Sequence, residues 1–271
     1  MPEHNLVVNG VRLSVESLGE GPRAILFIHG FPLDRSIWRP QMAALDGWWR
    51  IAPDLRGMGR SEAPDDGYSM ATYAEDLAGV LQALGVGQVV LCGLSMGGYV
   101  AFECLRRWPE RVTGLVLMDT RAEPDPPEGR AGRDAMIALV RQEGAGAVAE
   151  TMLPRLLRPG TWTERPGLPE QVRAMMAAMP VAGVAGALAA MRDRPDSRAL
   201  LPSLGRLPSL VLVGEEDRLT PPEVGRAMAE AIPGAEFEVI AGAGHLPTLE
   251  QPDRTTNRLR RFLDRVSWGP V

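Results

Sequence analysis

Gly93-Leu94-Ser95-Met96-Gly97 holds one serine hydroxyl between two glycines, in a setting that could make it a nucleophile. The preceding Gln88-Val-Val-Leu-Cys92 is a short apolar, β-branched run. The following Gly98 to Arg107 reads as a helix packing through Tyr99, Val100, Phe102, Cys104 and Leu105. A serine at a strand-to-helix corner projects clear of the sheet, and the helix N-terminus offers N–H groups and a positive dipole end to a developing oxyanion. The glycines fit because such a corner brings backbone segments too close together for side chains.

A serine attacks only when a base takes its proton and a third group orients that base. The chain has three histidines. His4 falls in the N-terminal segment and is expected to be solvated. His29 ends the apolar run Ile25-Leu-Phe-Ile28, where a histidine is expected to order a loop. His245 lies in the glycine-rich Ala241-Gly-Ala-Gly-His-Leu-Pro247, after the strand-like Glu236-Phe-Glu-Val-Ile240. Small neighbours let it protrude, so it is the candidate base. The orienting acid is sought at the end of the buried strand Leu210-Val-Leu-Val213, where Gly214-Glu215-Glu216-Asp217 follows. Asp217 is preferred, because Arg218-Leu-Thr-Pro-Pro222 then opens a helix and leaves Asp217 in the loop. Glu215 and Glu216 read as solvated turn residues.

The order Ser95, Asp217, His245 is that of α/β-hydrolases, not of chymotrypsin- or subtilisin-type triads. The chain resembles that superfamily over nearly its whole length, through His29-Gly-Phe-Pro32, Asp54-Leu-Arg-Gly-Met-Gly-Arg-Ser61, Gly93 to Gly98, Gly214 to Asp217 and Gly242 to Glu250. Within it, the chain is similar to bacterial esterases, enol-lactonases and haloperoxidase-like perhydrolases with a helical lid. The resemblance implies that the backbone N–H groups of Phe31 and Met96 form an oxyanion hole. It implies a mainly structural role for Asp54 to Ser61. It implies a serine hydrolase of carboxylic esters or lactones. C–C bond hydrolysis, perhydrolysis and a slow-turnover ligand-binding receptor can share the same triad. Dehalogenases and epoxide hydrolases of the superfamily resemble one another in carrying Asp at the elbow, where this chain has Ser95. The family's epoxide-activating lid tyrosines have no counterpart, since Tyr68, Tyr73 and Tyr99 all precede the lid region.

The elements that must position these residues follow from pattern. Leu6 to Leu18 reads as an antiparallel hairpin turning at Asn9-Gly10. Strands are expected near Ala24–Ile28, Trp49–Pro53, Val89–Cys92 and Gly114–Met118, with an amphipathic helix over Met70–Leu84. Alternating strands and helices predict a mostly parallel, eight-stranded α/β sheet with helices on both faces and the site at the strands' carboxyl ends. After Asp119 comes a proline-rich linker, Thr120 to Gly129. Helical patterns then run to about Arg198, at Arg133–Glu143, Ala147–Leu157, Gln171–Met179 and Val184–Arg192. The expected organisation is a core over 1–119, a helical lid over 120–199 and a second core part over 200–271. The lid carries Met136, Met152, Met175, Met176, Met179 and Met191, which predicts an apolar, adaptable acyl pocket.

Composition narrows the chemistry. At 271 residues and 45% hydrophobic, the chain can bury a full core. A net charge of −5 argues against nucleic acid as a partner. All 29 basic residues are arginine. Without lysine there is no Schiff-base chemistry, phosphate-loop lysine or Ser–Lys dyad. No dinucleotide fingerprint or metal-ligand spacing occurs, so no cofactor is expected. Cys92 and Cys104 read as small buried hydrophobes. No apolar run reaches transmembrane length, and the first residues lack secretory-signal features, which predicts a cytoplasmic protein. The sequence leaves a homodimer open.

Overall fold

The computed structural model describes residues 1–267. Eight strands form one sheet: β1 (Glu3–Val8), β2 (Val11–Leu18), β3 (Ala24–Ile28), β4 (Trp49–Pro53), β5 (Val89–Leu94), β6 (Val112–Met118), β7 (Ser209–Gly214) and β8 (Glu236–Ile240). Their order is β1-β2-β4-β3-β5-β6-β7-β8. β1 pairs with β2, and β2 with β4, antiparallel; every other pairing is parallel. β3, β5 and β7 are buried at every position, as helix-covered parallel strands should be. Asn9 (φ 49°) and Gly10 (φ 76°) make the hairpin turn with both central residues left-handed, the geometry that suits Asn-Gly.

The helices are α1 (Arg39–Ala44), α2 (Met70–Ala83), α3 (Met96–Arg107), α4 (Pro127–Glu143), α5 (Ala145–Leu156), α6 (Thr161–Glu164), α7 (Gly167–Ala177), α8 (Val181–Arg192), α9 (Pro222–Ala231), α10 (Pro247–Glu250) and α11 (Pro252–Leu263). α2 starts at Ser69, whose hydroxyl accepts the Thr72 N–H at 2.9 Å. Its Tyr73, Leu77, Val80 and Leu81 are buried on one face. Between β6 and β7 the described chain forms helices joined by loops and no strand, with α4 packed on α8 and α5 on α7. No single described helix is long and apolar enough to cross a membrane. The pair α7 and α8 meets that test only jointly, across a 94° bend.

Two expectations need correction. His4 is not in a solvated tail: it lies on β1 opposite Val15, with Nε2 2.9 Å from the Ser17 hydroxyl. The linker is shorter than its prolines suggest, because α4 begins inside it at Pro127. Proline has no N–H to lose at a helix start, so the residue that reads as a breaker is a starter here.

Candidate active site

Five neighbouring strand ends assemble the site. β3, β5, β6, β7 and β8 are adjacent in that order, and their carboxyl ends lead to Phe31, Ser95, Asp119, Asp217 and His245 respectively. Residues far apart in sequence therefore meet because parallel strands end on the same edge.

Ser95 sits at φ 54°, ψ −115°, a conformation non-glycine residues rarely adopt. Its N–H donates to the Met118 carbonyl at 2.9 Å. Its own carbonyl accepts the Gly98 N–H at 2.9 Å and the Thr120 hydroxyl at 2.8 Å. The glycines are sterically required. A Cβ on Gly97 would lie 2.1 Å from the Ile28 carbonyl oxygen, and one on Gly93 would lie 2.4 Å from the Gly97 oxygen. From Val89 to Leu105, Ser95 is the one residue that is not buried. The corner thus spends strain to present a single side chain to solvent.

The two expected oxyanion donors lie beside it. Gly30, next to Phe31, is so close that an added Cβ would be 3.2 Å from the Ser95 Cβ. Met96 is the first residue of α3, where a helix leaves its N–H without an intrahelical partner. The Phe31 N–H makes no hydrogen bond among the described residues.

His245 is buried, with Nδ1 2.8 Å from Asp217 Oδ2. Asp217 Oδ1 accepts the N–H groups of Leu219 (2.8 Å) and Thr220 (3.1 Å), and Oδ2 also accepts the Thr220 hydroxyl. Burial opposes ionisation of Asp217. The facing imidazole and these hydrogen bonds outweigh it and hold the carboxyl down at about 2. An ionised Asp217 fixes the His245 tautomer with the proton on Nδ1, leaving Nε2 as an acceptor. The His245 N–H donates to the Leu156 carbonyl at 2.9 Å, which ties the histidine loop to the end of α5.

Two contributors escape a reading of the sequence. Asp119 is fully buried. Its Oδ1 accepts the Gly214 N–H at 2.8 Å, and its Oδ2 has no partner. Burial, then the negative charge of Asp217, push its carboxyl well above the usual range, towards the neutral form. Glu250 is also buried. It accepts the Gly244 N–H at 2.7 Å on one oxygen, and the Arg158 N–H (2.9 Å) and Thr161 hydroxyl (2.6 Å) on the other. It stands in the Gly242–Glu250 motif, but the sequence does not show what it faces.

One donor atom from each of Asp119, Asp217 and His245 falls within a 4.8 Å cluster, near enough to consider a metal. The donors disagree with that. Both Asp217 oxygens are taken by N–H and O–H donors, and Nδ1 faces Asp217 as a donor itself. This is a row for holding a proton.

The remaining candidates fall as expected. His29 Nε2 accepts the Leu55 N–H at 3.0 Å and Nδ1 donates to the Gly30 carbonyl at 2.9 Å, so it orders the Phe31 turn. Asp54 is buried against Arg35 and the Arg60 N–H, a structural role for its loop. Glu215 and Glu216 are exposed. Cys92 and Cys104 are buried and free, and burial pushes both thiols up, away from the reactive thiolate.

Ser95 and His245 open onto one cleft of about 360 Å³, roofed by α4, α5 and α8. Its lining is less apolar than the methionines suggest. Met136, Met152 and Met191 do line it, but Arg121, Arg133, Arg155, Asp125 and Glu128 share the wall. Met176 and Met179 are instead buried among the helices, and the Met179 sulfur accepts the Gly59 N–H at 3.2 Å.

Comparison with known proteins agrees with this architecture. A thermophilic esterase from Thermogutta terrifontis, solved with malate bound, superposes with a TM-score of 0.94 at 44% identity, over 98% of this chain and 99% of that one. An enol-lactonase from Burkholderia xenovorans superposes at 0.89 with 29% identity, over 97% and 100%. In sequence, 3-oxoadipate enol-lactonase 2 of Acinetobacter baylyi is 28% identical over 97% of both chains. The family model for the alpha/beta hydrolase fold matches residues 23–252, and the chain is a member of the alpha/beta hydrolase family.

Proposed function

We propose that this hydrolase cleaves carboxylic esters or lactones through an acyl-Ser95 intermediate. The observation that carries this is the strained, half-buried Ser95 opening onto the same cleft as a histidine whose far nitrogen is held by an ionised carboxylate. The similarity to an esterase and to enol-lactonases supports the bond type.

His245 Nε2 removes the Ser95 proton as Oγ bonds to the substrate carbonyl carbon, and the carbonyl π pair moves onto oxygen. The Phe31 and Met96 N–H groups receive that oxyanion. Asp217 stabilises the imidazolium without taking its proton. As the tetrahedral species collapses, the C–O bond breaks and His245 passes the proton to the departing alkoxide. Water, deprotonated by His245, then attacks acyl-Ser95; the acyl C–Oγ bond breaks, His245 returns the proton to Ser95 Oγ and the acid leaves. The Ser95 hydroxyl makes no hydrogen bond among the described residues, and catalytic contacts commonly tighten only once substrate is seated. Residues 120–199 act as a lid that keeps bulk water from the acyl group.

Stopped-flow hydrolysis of 4-nitrophenyl butyrate tests this. Wild type should show a burst of nitrophenolate followed by sustained turnover, and Ser95→Ala should lose roughly 10⁴- to 10⁶-fold in kcat. A single slow turnover without cycling would instead identify a receptor.

A further inference from the structure

The cleft contains more cationic side chains than its own acids answer. Among its lining residues, Arg121, Arg133 and Arg155 face two acids, Asp125 and Glu128. Asp125 is already committed: its Oδ2 takes Arg133 Nε at 3.0 Å, and its Oδ1 takes Arg194 at 2.8 Å. Glu128 is exposed at the first turn of α4, where the helix dipole favours a negative charge. Arg121 hydrogen-bonds to the Leu219 backbone carbonyl and, among the described residues, to no carboxylate. Arg155, exposed on α5 at the cleft, makes no side-chain hydrogen bond or ion pair among the described residues.

These two arginines are placed with respect to the chemistry. Arg121 follows Thr120, whose hydroxyl holds the Ser95 carbonyl. Arg155 precedes Leu156, whose carbonyl holds the His245 N–H. Both arginines line the same cleft as Ser95 and His245. A guanidinium presents its donors in a planar fork that matches a carboxylate. Met136, Met152 and Met191 add apolar wall for a short methylene chain but none of the further donors that a phosphate's third oxygen would need.

We propose that the site selects esters or lactones whose acyl part carries a free carboxylate, with Arg155 and Arg121 as its counter-ions. This rests on the serine-hydrolase reading above and names its substrate class.

Mono-4-nitrophenyl glutarate and its neutral counterpart, 4-nitrophenyl methyl glutarate, differ only at the distal acid. After subtraction of the uncatalysed rate, wild type should prefer the anionic ester by about tenfold or more in kcat/KM. Arg155→Gln, and more so Arg155→Gln with Arg121→Gln, should erase that ratio, chiefly through KM for the anionic ester. Arg155→Lys should restore part of it. A purely structural effect would lower both rates together and leave the ratio unchanged, which overturns the proposal. Wild type alone supplies a second readout: glutarate should inhibit hydrolysis of the neutral ester competitively, and glutaramide should not. Equal inhibition by both overturns the proposal while leaving ester hydrolysis standing. If neither ester is turned over, the hydrolase reading fails and this one falls with it.

Discussion

The Gly244 N–H donates to Glu250 Oε2 at 2.7 Å, one residue before His245, while the other Glu250 oxygen holds the Arg158 N–H and Thr161 hydroxyl. One buried carboxylate therefore fastens the histidine loop to the helical insert. Glu250→Ala should strand two backbone N–H groups and destabilise the fold by about 2–6 kcal/mol, at about 1–3 kcal/mol for each unmet donor. Urea unfolding checks this. A loss under 1 kcal/mol would mean water replaces the carboxylate and that the strap is unimportant.

Asp217 and His245 make a prediction with a defined sign. Asp217 is held at about 2, below the usual carboxyl value. The folded state therefore binds its proton more weakly than the unfolded chain does. The stability this contributes, about 2 kcal/mol, is present above pH 4 and lost as pH falls towards 2. The stability gap between wild type and Asp217→Asn should narrow between pH 7 and pH 3. Activity of the variant should fall roughly 10³- to 10⁴-fold, as for a triad whose histidine tautomer is no longer held. A gap that widens in acid would contradict the assigned charge.

Asp119 carries the opposite sign. Burial and the charge of Asp217 raise its carboxyl well above 3.8, so the folded state holds a proton that the unfolded chain releases. That proton makes folding less favourable as pH rises through the ordinary carboxyl range. Asp119→Asn is neutral at every pH and can still accept the Gly214 N–H. Its Tm relative to wild type should therefore climb between pH 4 and pH 8. A pH-independent difference would mean that Asp119 is ionised in the fold.

Gly97→Ala should be severe. The added methyl would fall 2.1 Å from the Ile28 carbonyl oxygen, which is backbone and cannot rotate away. Separating α3 from β3 would also displace the Met96 N–H at the start of α3. A loss of about 3 kcal/mol or more, together with a loss of esterase rate, is expected. Circular dichroism melting and turnover on the same preparation measure both.

Much of this arrangement is written locally in the chain. Ala24–Ile28, Trp49–Pro53 and Glu236–Ile240 are legible to the residue: the first is a continuous buried apolar run, the second a mainly apolar one stopped by proline, and the third, half-buried, alternates charged and apolar side chains. Ser95 and His245 are each marked by a glycine-rich turn after a strand, and Asp217 by its place in the charged turn that ends β7. What is not legible depends on neighbours. Asp119 looks like any acid ending a strand. Its significance comes from β6 lying beside β7, which brings it to Asp217 across 98 positions of sequence. Glu250 is hidden for the same reason, since its partners Arg158 and Thr161 belong to the insert. The arginines of the cleft show least, because only the seating of α4, α5 and the loop after β6 around Ser95 decides which of 29 line it.

The central claim is that Ser95 is the nucleophile. Intact-mass and peptide mass spectrometry after treatment with an excess of a fluorophosphonate measures it most directly. One adduct per chain should form, on the peptide bearing Ser95, and Ser95→Ala should stay unmodified. Folded wild-type protein that remains unlabelled, or that carries the adduct on another residue, would contradict the account.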